Sequence, residues 1–352
     1  MIQELIIKNG IRLREREDIS SIKNKLSKCE RISLTQSQKN DIQRFYRRVA
    51  GKEVPTYWHE YFHSRNGYFS VEYIPTSFYH KELIYRLNNY KLRHAYVDKG
   101  IYDIYFPDVN RPATIVKNIN GFYYDASGAI TQQEALQRCS GITEAIIKPS
   151  QEGMWGEGVN LIKSSDITDY HQLFDKYGKN FIIQERIRQD EQMSLLNPTS
   201  LNTIRVLSYR NNDGVFILYT VVRIGRLGKN IDNETAGGIN ADIDMATGRI
   251  KDCAYGTPSE KRIECTDCGT LLKGFEIPSY SKVIAKVKEL HERLPYFRLV
   301  EWDWGIDSNS EPVLIEWNRA PDLSQTAHGP AFGEMTQMII KETLKLEDSR
   351  YF

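Results

Sequence analysis

Apolar positions follow two different periods along the chain. Up to about residue 95 they recur at helical spacing, and from about Tyr96 onward they sit in short runs rich in Ile, Val and Tyr, alternating with helices. In the first regime, Thr35–Ala50 has a polar start, Ile42, Phe45, Tyr46 and Val49 on one face, and Gly51 as a stop. Tyr57–Ser64 and Tyr79–Tyr96 continue the helical pattern on either side of an Asn66–Gly67 turn. In the second regime, Ala113–Ile119 predicts a strand that turns at Asn120–Gly121 and returns through Phe122, Tyr123 and Tyr124. Thr131 and Glu134 have capping-box spacing and open a helix through Arg138. Glu144–Lys148 reads as a strand, Asp169–Tyr177 as a helix, and Asn180–Arg188 as a strand that turns polar at Gln184–Glu185. Asn202–Arg210 and Val215–Arg226 pair around Asn211–Gly214, and Gly237–Asp244 is a further turn-to-strand.

The last predicted hairpin carries the densest chemistry. Leu299–Trp304 and Val313–Trp317 are joined by a polar turn through Asp307, Asn309 and Pro312. Alternation puts Glu301 and Asp303 on one face of the first strand, and Glu316 and Asn318 on one face of the second. Antiparallel pairing brings these carboxylates and the amide to one spot. They repel unless a cation sits there, and a hard ion such as Mg2+ suits oxygen donors. The competing reading is a solvated hairpin with acidic outward positions.

Composition narrows the field. The 352 residues can hold two or three subdomains, and a net charge of +1 with 26% charged residues gives no case for a nucleic-acid binder. No apolar run approaches bilayer length, the N-terminus lacks a signal-peptide core, and five cysteines agree with a reducing compartment, so the expected location is cytoplasmic. Cys265 and Cys268 form a single CxxC without the further ligands of a zinc knuckle. His59-Glu60-Tyr-Phe-His63 matches HExxH, the zinc-protease pattern; the extended metzincin spacing is absent, and Glu82 is the carboxylate left to complete a site.

Three glycines, Gly153, Gly156 and Gly158, punctuate the run from Gln151 to Val159 between two strands. Such a loop lets backbone N–H groups approach an anion, and no Walker GK[ST] follows it. Arg205 and Arg223 fall on adjacent strands, an arrangement suited to clamping phosphate or carboxylate. The order is then Lys117, Lys148 with a glycine loop, Gln184–Glu185, Arg205, Arg223, and Asp303…Glu316-Trp-Asn318. That order resembles the ATP-grasp superfamily over about residues 96 to 340, and within it the branch associated with sugar transfer and cell-surface polysaccharide biosynthesis.

The resemblance implies an α+β (α/β) fold in which two subdomains sandwich ATP, preceded here by a mainly helical region. The expected divisions are residues 1–95, helical; 96–186, with the lysines and phosphate flap; and 187–352, with the arginines and the Mg2+ site. Lys117 and Lys148 would contact the phosphates, Gly153, Gly156 and Gly158 would cover them, and Gln184, Glu185 and Ile187 would read the adenine. Asp303, Glu316 and Asn318 would hold one or two Mg2+ ions, and Arg205 and Arg223 would stabilise the transferred phosphoryl group. Gln189 and Glu191 both compete for the ribose, and Arg319–Gln325 with His328 would border the acceptor. The activity implied is ATP-dependent joining of a small-molecule or glycan-linked carboxylate to an amine. A kinase-like phosphotransferase on the same site, and a zinc hydrolase built on His59, Glu60 and His63, are the alternatives.

Overall fold

The computed structural model describes residues 2–92, 96–151, 158–165, 169–229, 232 and 236–351. Three helices come first: α1 (Ile2–Lys28), α2 (Gln36–Ala50) and α3 (Tyr57–Asn66). Local sequence sets the ends of α2. Thr35 and Gln38 form a reciprocal capping box, with the Thr35 N–H donating to Gln38 Oε1 at 2.8 Å, and Gly51 at φ 67° closes the C-terminus. Its apolar stripe, Ile42, Phe45, Tyr46 and Val49, is buried.

The helix expected over Tyr79–Tyr96 is interrupted. An α-helical turn (Thr76–Phe78) runs into a π-helical turn (Tyr79–Leu83) and a short α-helix (Ile84–Leu87), and the chain leaves helical geometry at Asn88, φ −128° and ψ 135°. The cause is a tertiary bond set that outweighs local propensity. Asn88 Oδ1 accepts from the N–H groups of Arg298 (2.8 Å) and Leu299 (3.0 Å), while Nδ2 donates to the Leu299 carbonyl (2.7 Å) and to that of Arg319. At 5% exposure these groups have no access to replacement water. Asn88→Ala is expected to destabilise the protein by about 3 kcal/mol, read as a shift in the urea midpoint.

Two antiparallel sheets follow. The first contains β1 (Thr114–Ile119), β2 (Phe122–Asp125), β3 (Gly128–Ile130), β4 (Glu144–Pro149), β5 (Asn160–Lys163) and β6 (Phe181–Glu185), in the order β3-β2-β1-β6-β4-β5. Asn120 and Gly121, both at positive φ, make the predicted turn between β1 and β2. Helices Gln132–Ser140 and Tyr170–Tyr177 cover one face, where Ala135, Cys139 and Phe174 pack on Val116, Ile147 and Ile183.

The second sheet contains β7 (Thr203–Asn211), β8 (Gly214–Ile224), β9 (Ile239–Ile243), β10 (Ile250–Tyr255), β11 (Leu299–Ile306) and β12 (Pro312–Asn318), in the order β10-β9-β8-β7-β11-β12. Every residue of β11 is buried. Its even-numbered positions, Val300, Trp302 and Trp304, join Val283, Val287 and Leu290 of helix Tyr280–His291. The opposite face is divided. At one end Leu207, Tyr209, Tyr219 and Leu299 pack under α2 and helix Thr336–Thr343; at the other end the same face turns ionic and opens onto a cleft.

Candidate active site

The predicted hairpin forms, and its register is the one that gathers the acids: Asp303 lies opposite Glu316, and Glu301 opposite Asn318. The rung continues across the sheet, since Asp303 also lies opposite Arg205, and Arg205 opposite Val221. Residues facing each other across antiparallel strands point to the same side. Arg205 grips Asp303 with two hydrogen bonds of 2.8 Å and reaches Glu301 at 3.3 Å. One rung away, Arg223 lies 3.4 Å from Asp303 and 3.4 Å from Asp232, and Asp232 also accepts from Thr203. The cluster thus sets two guanidiniums against three carboxyl groups, Glu301, Asp303 and Asp232.

Burial raises the Glu301 pKa to about 8 against the pull of Arg205, and it likewise raises that of Asp232 against Arg223. Glu316 behaves differently. Burial works against its charge, but Lys99 and Lys148 outweigh that effect and hold its pKa low, at about 2. Lys99 Nζ lies 3.1 Å from Glu316 Oε2. Lys148 has no hydrogen-bond partner among the described residues; burial, then repulsion from Lys99, lowers its pKa to about 8, with Glu316 pulling the other way. Lys99 and Lys148 against one carboxylate leave an excess positive charge inside the cleft, which suits a polyanion.

Lys117, expected beside the phosphates, is placed elsewhere. It faces the same side as Lys148, both lying opposite Ile182, but its amine donates to the Gly100 carbonyl (2.7 Å) and to Asp103 Oδ2 (2.7 Å) and does not line the cleft. Those partners belong to the turn that carries Lys99, so Lys117 fastens the turn. Gly100 allows the close approach, because a Cβ there would come within 2.0 Å of Ile119. The Lys99 N–H completes the arrangement by donating to the Ser150 carbonyl at 2.8 Å, two residues past Lys148.

The cleft has a volume of about 1180 Å3, enough for a nucleotide and a second substrate. Ile146, Leu161, Ile187 and Ile315 give it apolar lining, and Ile146 lies opposite both Leu161 and Gln184. Gln184 is buried and donates to the Pro112 carbonyl at 3.1 Å. Gly158, at φ 76°, sits against Pro149, while Gly153 and Gly156 lie outside the described residues. Gln189 is committed to the loop beyond it, donating to the carbonyls of Asn197 (3.1 Å) and Ser200 (3.4 Å) and accepting from the Asn202 N–H at 2.6 Å. Glu191 does not line the cleft, whereas Ala320, Pro321, Asp322, Leu323 and Ser324 do. His328 instead meets Asp242 at 2.8 Å.

The donor set Asp303, Glu316 and Asn318 fits Mg2+: hard oxygens, one carboxylate firmly ionised, and cations poised to balance phosphate. A metal held by Asp303 would share that carboxylate with Arg205. The HExxH residues do not converge. His59 is fully buried between Tyr46 and Tyr73, with Nε2 3.3 Å from the Val71 carbonyl, and burial lowers its pKa to about 4. Glu60 pairs with Arg31 and Glu82 with Lys52, and among the described residues no group of three His, Cys, Asp or Glu could hold a metal.

Lys99 and Asp232 escaped the sequence reading. Lys99 sits in a short 3-10 turn, and Asp232 lies between strands, so neither has a strand period to flag it. The one available signal was Asp98-Lys99-Gly100, a capping acid followed by a tight turn, in which Asp98 Oδ1 accepts from the Gly100 N–H at 2.8 Å.

A family model described as sugar-transfer associated ATP-grasp matches residues 79–339. Among solved structures, D-alanyl-alanine synthetase A from Vibrio cholerae O1 biovar eltor is similar at 11% identity and a TM-score of 0.41, covering 71% of this chain and 64% of the synthetase. Biotin carboxylase from Campylobacter jejuni is similar at 11% identity and TM-score 0.42, covering 73% and 46%, and D-cycloserine synthetase DcsG at 14% and 0.42, covering 72% and 70%. The chain thus spans less than two thirds of the first two. No curated protein matches it. The extent of the family match, well over half of the sequence, establishes that the chain belongs to the sugar-transfer associated ATP-grasp family.

Proposed function

We propose that this protein is an ATP-dependent carboxylate–amine ligase working through an acyl phosphate. The observation that carries the reading is the rung Arg205–Asp303–Glu316 facing Lys99 and Lys148 across the cleft, a charge pattern matched to a metal-bound triphosphate. Lys99 and Lys148 take the phosphates, with Lys117 holding the Lys99 turn in place. The adenine lies beside Gln184, Glu185 and Ile187, and Gly153, Gly156 and Gly158 would cover the phosphates. Asp303, Glu316 and Asn318 would hold one or two Mg2+ ions, which when bound neutralise phosphate oxygens and the leaving ADP. Arg205 and Arg223 stabilise negative charge as the phosphoryl group moves to the carboxylate. A carboxylate is a poor electrophile until phosphorylated, and the acyl phosphate must then be kept from water.

The family description, sugar-transfer associated, supports a sugar-linked substrate, for which a cell-surface polysaccharide precursor is the proposal; no helix among the described residues is long and apolar enough to cross a membrane. A cytoplasmic site of action is the corresponding proposal. The test is ADP release from ATP and Mg2+ with amino acids such as glycine and L-alanine paired with sugar acids such as glucuronate, followed by product mass. An amide, one water lighter than its two parts, is expected. A stable phosphorylated product without amide would replace the ligase reading with the kinase-like one.

Lys148 gives a second check. Its lowered pKa leaves it largely neutral above pH 8 in the free protein, and phosphate charge beside it restores the proton. ATP binding at pH 8.5 is therefore expected to take up a proton, and affinity is expected to fall as pH rises past 8. Calorimetry in two buffers of different ionisation enthalpy measures the uptake, and Lys148→Ala should abolish it while weakening binding about tenfold or more.

A further inference from the structure

The N-terminal region lines one wall of the cleft with Arg14, Asp18, Tyr79 and His80. His80 Nδ1 lies 2.8 Å from Asp18 Oδ2 and 3.3 Å from Arg14 Nε. One ring nitrogen cannot donate to a carboxylate and accept from a guanidinium at once. The shorter contact assigns the Nδ1 proton to Asp18, and Arg14 is left with the other carboxylate oxygen at 3.5 Å. Nε2 then carries the lone pair. Asp18 is only 8% exposed, so the imidazole is held by a carboxylate largely out of water. Of the other charged groups lining this wall, Glu17 lies 4.0 Å from Arg14, while Lys25 and Asp322 have no ion-pair partner among the described residues.

Two independent features mark the same spot. The π-helical turn begins at Tyr79, and such widened turns recur where a helix must aim side chains at a ligand. The Tyr79 hydroxyl has no hydrogen-bond partner although the residue is 2% exposed, and its pKa is raised by burial and then by the charges of Glu301 and Asp322. A buried hydroxyl left without a partner is costly unless something else supplies one. None of these groups has a task in holding the nucleotide.

We propose that Asp18, Tyr79 and His80 form the subsite for the incoming amine, with His80 Nε2 as its proton acceptor. The inference rests on the ligase reading. A primary amine arrives as its ammonium ion, drawn by Asp322. One ammonium proton moves to His80 Nε2, and the freed lone pair forms the C–N bond at the acyl carbon. The C–O bond to phosphate breaks, and the departing phosphate takes the bonding electrons and the surplus proton on nitrogen. Asp18 keeps its charge and stabilises the imidazolium, as a positioning residue.

The experiment compares the wild type with His80→Gln, Asp18→Asn and Tyr79→Phe on a productive pair from the glycine, L-alanine and glucuronate set. Each is assayed with the amine and with hydroxylamine, which is already neutral at the assay pH and needs no base. His80→Gln and Asp18→Asn should lose at least about a hundredfold in kcat with the amine and little with hydroxylamine. Tyr79→Phe should raise the amine KM, and all three should bind ATP as the wild type does by calorimetry. Wild-type rates for His80→Gln with the amine, or equal losses with both nucleophiles, would overturn the inference. A wild-type protein that binds ATP but releases no ADP with any pair overturns the ligase reading itself.

Discussion

Glu316→Gln is expected to lower ATP turnover by on the order of 10³-fold while the far-UV circular dichroism and melting temperature stay close to those of the wild type. The amide keeps the shape of the carboxylate and loses its charge. In the native cleft that charge is the counterpart of both Lys99 and Lys148, which hold the Glu316 pKa low, and Glu316 is one of the two carboxylates proposed to hold Mg2+. Without it, the lysines repel each other and the metal keeps one full carboxylate that it must share with Arg205. Asp303→Asn should have a similar effect on turnover for a different reason, because Arg205 and Arg223 then face a neutral group. Full turnover in both variants would refute the metal assignment.

Arg205→Met should be the most damaging single change to stability, costing about 3–5 kcal/mol. Arg205 lies against two carboxylates that are almost completely buried, Glu301 at 1% and Asp303 at 2% exposure; removing the cation takes away the ion-pair partner of Glu301 and leaves Asp303 with Arg223 alone. Lysine in its place would return the charge but not the two-pronged grip. The pH dependence has a definite sign. A carboxyl whose folded pKa lies above its unfolded one contributes stability at low pH that is lost as pH rises through the folded value. Burial already places Glu301 in that class, raised to about 8, so the variant should be more stable at pH 5 than at pH 8. Adding Glu301→Gln to Arg205→Met should recover part of the loss. Equal denaturant midpoints for the wild type and Arg205→Met at pH 8 would rule this account out.

The hairpin that gathers Glu301, Asp303, Glu316 and Asn318 was legible because strand alternation is a strict two-residue rule, and one register brings all four together. The capping box at Thr131 and the Asn120–Gly121 turn were legible for the same reason: each is decided within four residues. What escaped was decided by distant partners. Asn88 ends a helix because it bonds the backbone at Arg298 and Leu299, more than two hundred positions away. Lys117 sits on the predicted strand, yet Gly100 and Asp103 claim its amine, and Lys99 enters the cleft from a turn without periodicity. The sequence also left the helices before residue 95 without a task, since nothing local says that α1 reaches the wall of a cleft built by the sheets.

The way the N-terminal helices cover the second sheet sets a limit on dissection of the chain. The stretch shared with the family begins at Tyr79, but the apolar end of the sheet is roofed by Ile42, Phe45 and Tyr46, and Ile74 is tied across to Gln325 by hydrogen bonds of 2.8 and 2.9 Å. A chain cut to residues 79–339 would present Leu207, Tyr209, Tyr219 and Leu299 to water as one continuous sticky strip, and would also lose Ile340 from the helix that shares the roof. Such a fragment should aggregate even though it contains every residue assigned to the nucleotide. The family's common segment and the smallest soluble piece of this protein are therefore different things.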